Sequence, residues 1–179
     1  MGKILDLVTT IDLIGVESES VVDQDKDDNI VWSKKDERID RLLLDDQRIQ
    51  RNSQIMVYEV HKKEGATLHG MTMVVLNSYG QTMSTDNLLR RLKVGGYLLT
   101  LPTIELLIER RYLGECTSPG FNESINFAFV EEKSGNVSAL CAYSRNGGWG
   151  ADLLQIRSAS LWRKGCRLLV RKPIEFLMI

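Results

Sequence analysis

The sequence predicts an α+β protein: an antiparallel β-sheet with two central helices packed on it, preceded by a partly disordered acidic N-terminal arm. Three observations carry this. ESINFAFVEEKSGNVSALCAYSR alternates in character on both sides of Lys133-Ser134-Gly135-Asn136, the period-two signature of a hairpin. STDNLLRRLKVGG (84–96) and LPTIELLIERRYLG (101–114) each have the start and stop signals of a complete short helix. Charge is split along the chain. Residues 1–50 hold 7 Lys+Arg against 13 Asp+Glu, and residues 51–179 hold 16 against 11. The split places an arm at 1–50 and a globular domain at 51–179.

Within the arm, MGKILDLVTTIDLIG is apolar at Ile4, Leu5, Leu7, Val8, Ile11, Leu13 and Ile14. No apolar run approaches the roughly 20 residues that span a bilayer, and Asp6 and Asp12 with no small-residue cleavage site argue against a secretory signal. Gly2 suits myristoylation, but Asp6 stands where that signal has Ser or Thr. The chain is therefore expected on the cytosolic side of the membrane. The segment reads as a docking peptide, with Ile4, Leu5, Leu7, Val8 and Ile11 expected to mediate self-association by burying themselves in a protein groove on this domain or a neighbouring copy. ESESVVDQDKDD (17–28) has little to bury and reads as a disordered linker. DERIDRLLLDDQRIQR (36–51) spaces Ile39, Leu42, Leu43 and Ile49 as a short amphipathic helix would.

In the domain, QIMVYEV and HGMTMVVL flank KKEGAT and read as a hairpin. In 84–96, Ser84 or Thr85 caps the start, Arg90, Arg91 and Lys93 suit the negative end of the dipole, and Gly95 ends the helix. In 101–114, Pro102 and Thr103 start the helix, Ile104, Leu107 and Ile108 line one face, and Gly114 follows Arg110 and Arg111. RNGGWGAD (145–152) reads as a glycine-rich loop in which Trp149 is partly buried or, alternatively, presented to a membrane or partner, and SASLW and CRLLV read as strands around Arg163-Lys164-Gly165.

The sequence supplies no catalytic constellation. GxSxG, HExxH and GxxxxGK[ST] are all missing. His61 and His69 are the only histidines, and Cys116, Cys141 and Cys166 are widely spaced, so no metal, cofactor or enzymatic activity is expected. The conspicuous chemistry is cationic. Arg157, Arg163, Lys164, Arg167, Arg171 and Lys172 fall in a stretch without a single acid, which predicts a contact surface for anionic lipid, nucleocapsid or the RNA backbone. An RNA-binding or host-factor-binding accessory module built on the same residues is the alternative.

The order of parts, an apolar N-terminal stretch, an acidic arm, MTMVVLNSYGQTMSTDNLLRRL, IELLIERRYLG and FNESINFAFVEEKSGN, resembles the matrix proteins of rhabdoviruses. The small size is most similar to members infecting plants, and the resemblance spans roughly residues 54–140. It implies a non-enzymatic structural protein of the virion. Such a protein lies beneath the envelope, in the host cytoplasm, at the inner membrane face or in the nucleus. The implied partners are other copies of itself, the viral nucleocapsid, an anionic membrane surface and the glycoprotein cytoplasmic tail. The PPxY budding motif of animal members is absent, and the N-terminal segment is acidic where theirs is lysine-rich.

Overall fold

Alternation in the second half of the chain organises the whole protein. In a computed structural model, which describes residues 5–13, 32–45, 48–51, 53–60, 90, 92–113, 125–145, 148–156, 161 and 165–171, one seven-stranded sheet runs through the molecule. Its strands are β1 (Leu5–Asp12), β2 (Trp32–Lys35), β3 (Gln54–Val60), β4 (Asn126–Glu131), β5 (Val137–Arg145), β6 (Gly148–Gln155) and β7 (Arg167–Val170). Among the described residues, the named helices are α1 (Glu37–Leu42) and α2 (Leu101–Glu109), which with the sheet make a mixed α+β fold. The strand order is β1-β3-β7-β4-β5-β6-β2. The sheet is mixed rather than purely antiparallel, because β4 pairs with β7, and β2 with β6, in parallel.

The β4–β5 hairpin has the register its alternation predicts, Phe127 opposite Cys141 and Phe129 opposite Ala139. Phe127, Phe129, Val137, Ala139 and Cys141 face one layer, where they meet Met56, Tyr58, Leu92, Leu161 and Leu168. The alternate residues, Ala128, Val130, Leu140 and Ala142, face a second layer with Ile55, Val57, Leu153 and Leu169. That layer is covered by Ile39 and Leu43 from α1 and its end, and by Ile104, Leu107 and Ile108 from α2. A sheet buried on both faces explains why β3 reads as a continuous apolar run.

The arm does not stop at the expected boundary. β1, β2 and α1 all come from residues 1–50 and belong to the body, with Ile11, Leu13 and Ile39 buried in its second layer. α1 is also shorter than its amphipathic pattern. Leu43 leaves the helix in extended conformation, bridges to Glu132 and buries its side chain. For β3, both edges are occupied along Met56–Glu59, by β1 and by β7. HGMTMVVL, the expected hairpin partner, lies outside the described residues, as do the linker 17–28, residues 84–89, Gly114 and the histidines.

The glycine-rich stretch 145–152 is a strand for most of its length. β5 and β6 pair up to Arg145 opposite Gly148, leaving between them Asn146-Gly147, the dipeptide favoured in two-residue hairpin turns. Helix ends differ too. The helical residues Leu92–Val94 end with Gly96, not Gly95, in the left-handed region (φ 72°), where its N–H bonds the Lys93 carbonyl (3.2 Å). Pro102 and Thr103 lie in the first turn of α2, as expected, and Thr100 just before it is the cap, its hydroxyl accepting from the Thr103 N–H (3.3 Å). The end of α2 is a Schellman arrangement with Arg111 left-handed (φ 57°). The Arg111 N–H reaches the Ile108 carbonyl (2.9 Å) and the Tyr112 N–H the Leu107 carbonyl (2.9 Å). Arg111 bears the Cβ penalty that glycine avoids at this position. Arg111→Gly is therefore expected to stabilise the protein by about 0.5–1 kcal/mol, read as a higher urea midpoint; a lower midpoint would contradict the assignment.

Asp36 joins α1 to the sheet. Its carboxylate accepts from the backbone N–H of Arg38 (3.0 Å) and of Leu153 (3.3 Å) and pairs with the Arg38 guanidinium (2.6 Å), which also donates to the Leu153 carbonyl (2.7 Å). The Arg38 side chain foremost, and these backbone donors, hold the Asp36 carboxyl well below the usual carboxylate range, although burial pushes the other way. A depressed folded pKa adds stability above the unfolded value, about 3.9, and that stability fades as pH falls toward the folded value. Asp36→Ala is expected to cost about 1–2 kcal/mol at pH 7 through loss of the cap, with the gap to wild type narrowing in acid below pH 4. A gap that stays constant down to pH 2 would refute the linkage.

Candidate contact surfaces

The two edges of the sheet are built differently. β2 is four residues long and carries Lys34 and Lys35, the latter bonded to Asp40 (2.7 Å). Short length and lysines are the usual means of blocking further strand addition. β1 is eight residues long and contains neither lysine nor proline. It pairs antiparallel with β3 through Leu5–Val60 to Asp12–Gln54, with a bulge that leaves Val8 without an opposite residue on β3. Leu7 is 55% and Val8 47% exposed, and Thr9 and Thr10 are exposed as well. Four consecutive exposed residues open both faces of the strand, since neighbours along a strand point to opposite sides.

Of the residues expected to mediate self-association, Leu7 and Val8 are presented outward. Ile11 corrects the expectation: it is buried in its own chain, because after the bulge β1 turns it into the second layer beside Ile55. Leu5 lies opposite Val60, and Ile4 is outside the described residues. The segment thus docks on its own domain, as a strand rather than as a helix or a peptide in a groove.

The cationic stretch divides. Arg157, Arg163, Lys164 and Lys172 lie outside the described residues. Arg167 begins β7 and pairs with Glu59 on the adjoining strand (3.8 Å). Arg171 follows β7 and donates to the Ser53 hydroxyl (3.2 Å). Four residues of strand separate these two arginines by about 13 Å. They occupy opposite ends of an interior strand, and Arg167 has a carboxylate partner.

Beside Arg171, the segment Arg48–Arg51 is fixed against the start of α2. Gln50 donates to the Leu98 carbonyl (3.0 Å) and accepts from the Thr100 N–H (3.0 Å), while the Thr100 hydroxyl donates to the Arg48 carbonyl (2.7 Å). Arg48 and Arg51 are exposed along this strap. The sequence reading puts Arg48 in the acidic arm and Arg51 at the first position of the globular domain; their placement depends on a contact with α2 some 50 residues away, which no local pattern encodes.

Trp149 is likewise not in a loop. It lies in β6, half-buried on the second layer, opposite Trp32 of β2 and Ser144 of β5. The Trp32 indole donates to the Glu105 carboxylate (3.3 Å), joining the β2 edge to α2.

Among the described residues, no group of three or more His, Cys, Asp or Glu side chains could hold a metal ion, and no helix is long and apolar enough to cross a membrane. Cys141 and Cys166 are free thiols buried in the first layer. Burial, above all, and the nearby Asp152 push the Cys141 thiol far above its ordinary range, so it is protonated and unsuited to nucleophilic attack. Comparison of the chain with family models, curated proteins and solved structures finds no match.

Proposed function

We propose that this chain is a non-enzymatic viral matrix protein of the rhabdovirus type, which self-associates and bridges the nucleocapsid to the inner face of the envelope membrane. In that role it supports condensation, assembly and budding, and resides in the virion beneath the envelope and at the inner membrane face of the host cell. The body is taken as a sheet carrying two central helices, α2 being the second.

The observation that carries the proposal is the asymmetry of the sheet edges: β2 is blocked by lysines, while β1 presents Leu7 and Val8 to solvent. An exposed apolar edge is a liability unless something pairs with it. The arginines at 48, 51 and 171, with Lys172 following in sequence, offer salt-sensitive attraction to phosphate-bearing surfaces.

Sedimentation across a wide concentration range, together with flotation on phosphatidylserine vesicles at low and high salt, tests the proposal. Oligomers that grow with concentration and salt-sensitive flotation are expected. A protein that stays monomeric and ignores both anionic vesicles and RNA would overturn it.

A further inference from the structure

We infer that β1 is the self-association surface, and that it pairs antiparallel with β1 of a second copy about a two-fold axis near Leu7 and Val8. This rests on the self-association proposed above and names the surface that performs it.

The opposite edge narrows the choices. Head-to-tail growth would add β1 of one copy to β2 of the next, but β2 offers only four residues and two lysines. An isologous β1 pair avoids that edge and closes after two chains. The two sheets would then join into a single fourteen-stranded one, twice the seven strands of each chain.

Charge narrows the register. An antiparallel pair of identical strands related by a two-fold axis places one residue opposite its own copy. With Val8 at the axis, Asp6 faces Thr10 and Leu7 faces Thr9 of the second copy; with Leu7 there, Asp6 faces Val8. Neither arrangement sets carboxylate against carboxylate. Moving the axis to Thr9 puts Asp6 opposite Asp12, and moving it to Asp6 puts that residue opposite itself; both are disfavoured by like-charge repulsion. Registers centred on Leu7 or Val8 avoid this repulsion and cover the two exposed aliphatic side chains.

Two variants test this in the full chain. Val8→Lys brings two ammonium groups together at the axis and is expected to weaken self-association at least tenfold by sedimentation, with an unchanged thermal midpoint showing that the fold is intact. Leu7→Cys or Val8→Cys is expected to give a disulfide-linked dimer under mild oxidation beyond any seen in the parent, because residues opposite each other in an antiparallel pair lie about 4.5–5.5 Å apart at Cα. Lys34→Cys, on the guarded edge, is expected to give none. If the parent self-associates while Val8→Lys is unaffected and neither cysteine cross-links, β1 is not the surface and the proposed function survives. If the parent remains monomeric at all concentrations, this inference fails, and the proposed function fails with it when anionic vesicles and RNA are ignored as well.

Discussion

A chain lacking residues 1–13 is expected to be less stable by about 3–6 kcal/mol, a large share of the 5–15 kcal/mol typical of a domain. Ile11 and Leu13 are buried in the second layer, and each contributes about 1.5–3 kcal/mol through burial. Removing β1 also uncovers the edge of β3, which carries Ile55 and Val57. The shortened chain should unfold at a much lower urea concentration and aggregate on standing. Leu13→Ala alone should account for about 2–4 kcal/mol. An unchanged urea midpoint in the truncated chain would put the N-terminal residues outside the folded body, as the charge pattern alone suggests.

Gly150→Val is expected to cost about 3 kcal/mol or more. Gly150 lies opposite Tyr143 in the β5–β6 pair, and a Cβ at residue 150 would overlap the edge of the Tyr143 ring. Tyr143 is itself buried, so its ring has little room to retreat, and overpacking of this kind costs about 1–3 kcal/mol even for small additions. Gly150→Ala should sit at the lower end of that range. In a double-mutant cycle with Tyr143→Ala, the two losses should add to less than their sum, because removing the ring vacates the space that the new side chain needs. Strict additivity in thermal or urea unfolding would mean that the overlap is relieved elsewhere.

The contrast between β4–β5 and β6 shows what the sequence reveals. Phe127 and Phe129 alternate cleanly with small or buried partners, and the hairpin could be read down to its register. In β6 the glycines at 148 and 150 imitate a loop, since nothing local reveals that Tyr143 fills the space above Gly150. Asn146-Gly147 falls in the sequence between the ends of β5 and β6, and the dipeptide is one that two-residue hairpin turns favour. β1 was hidden for another reason. The bulge at Val8 interrupts period-two alternation, so apolar residues at 5, 7, 8, 11 and 13 match neither a strand nor a helix throughout. The candidate surfaces were legible as residue types but not as places. Leu7 and Val8 were named with Ile11, and only the fold separates those facing outward from the one facing in.

The position of β3 sets an order of events for the newly made chain. Its two neighbours, β1 and β7, come from opposite ends of the described sequence, and β2 waits for β6 across more than a hundred residues. Pairings of such long separation make for slow folding, because chain closure must be completed before the contacts repay it. While a ribosome is still making the chain, β1 and β3 can pair, but the far edge of β3 has no partner until Arg167–Val170 emerges. Folding should therefore be slow, on the millisecond-to-second scale of strand-rich domains. Until then the chain carries an open apolar edge, the kind of species that is prone to aggregate.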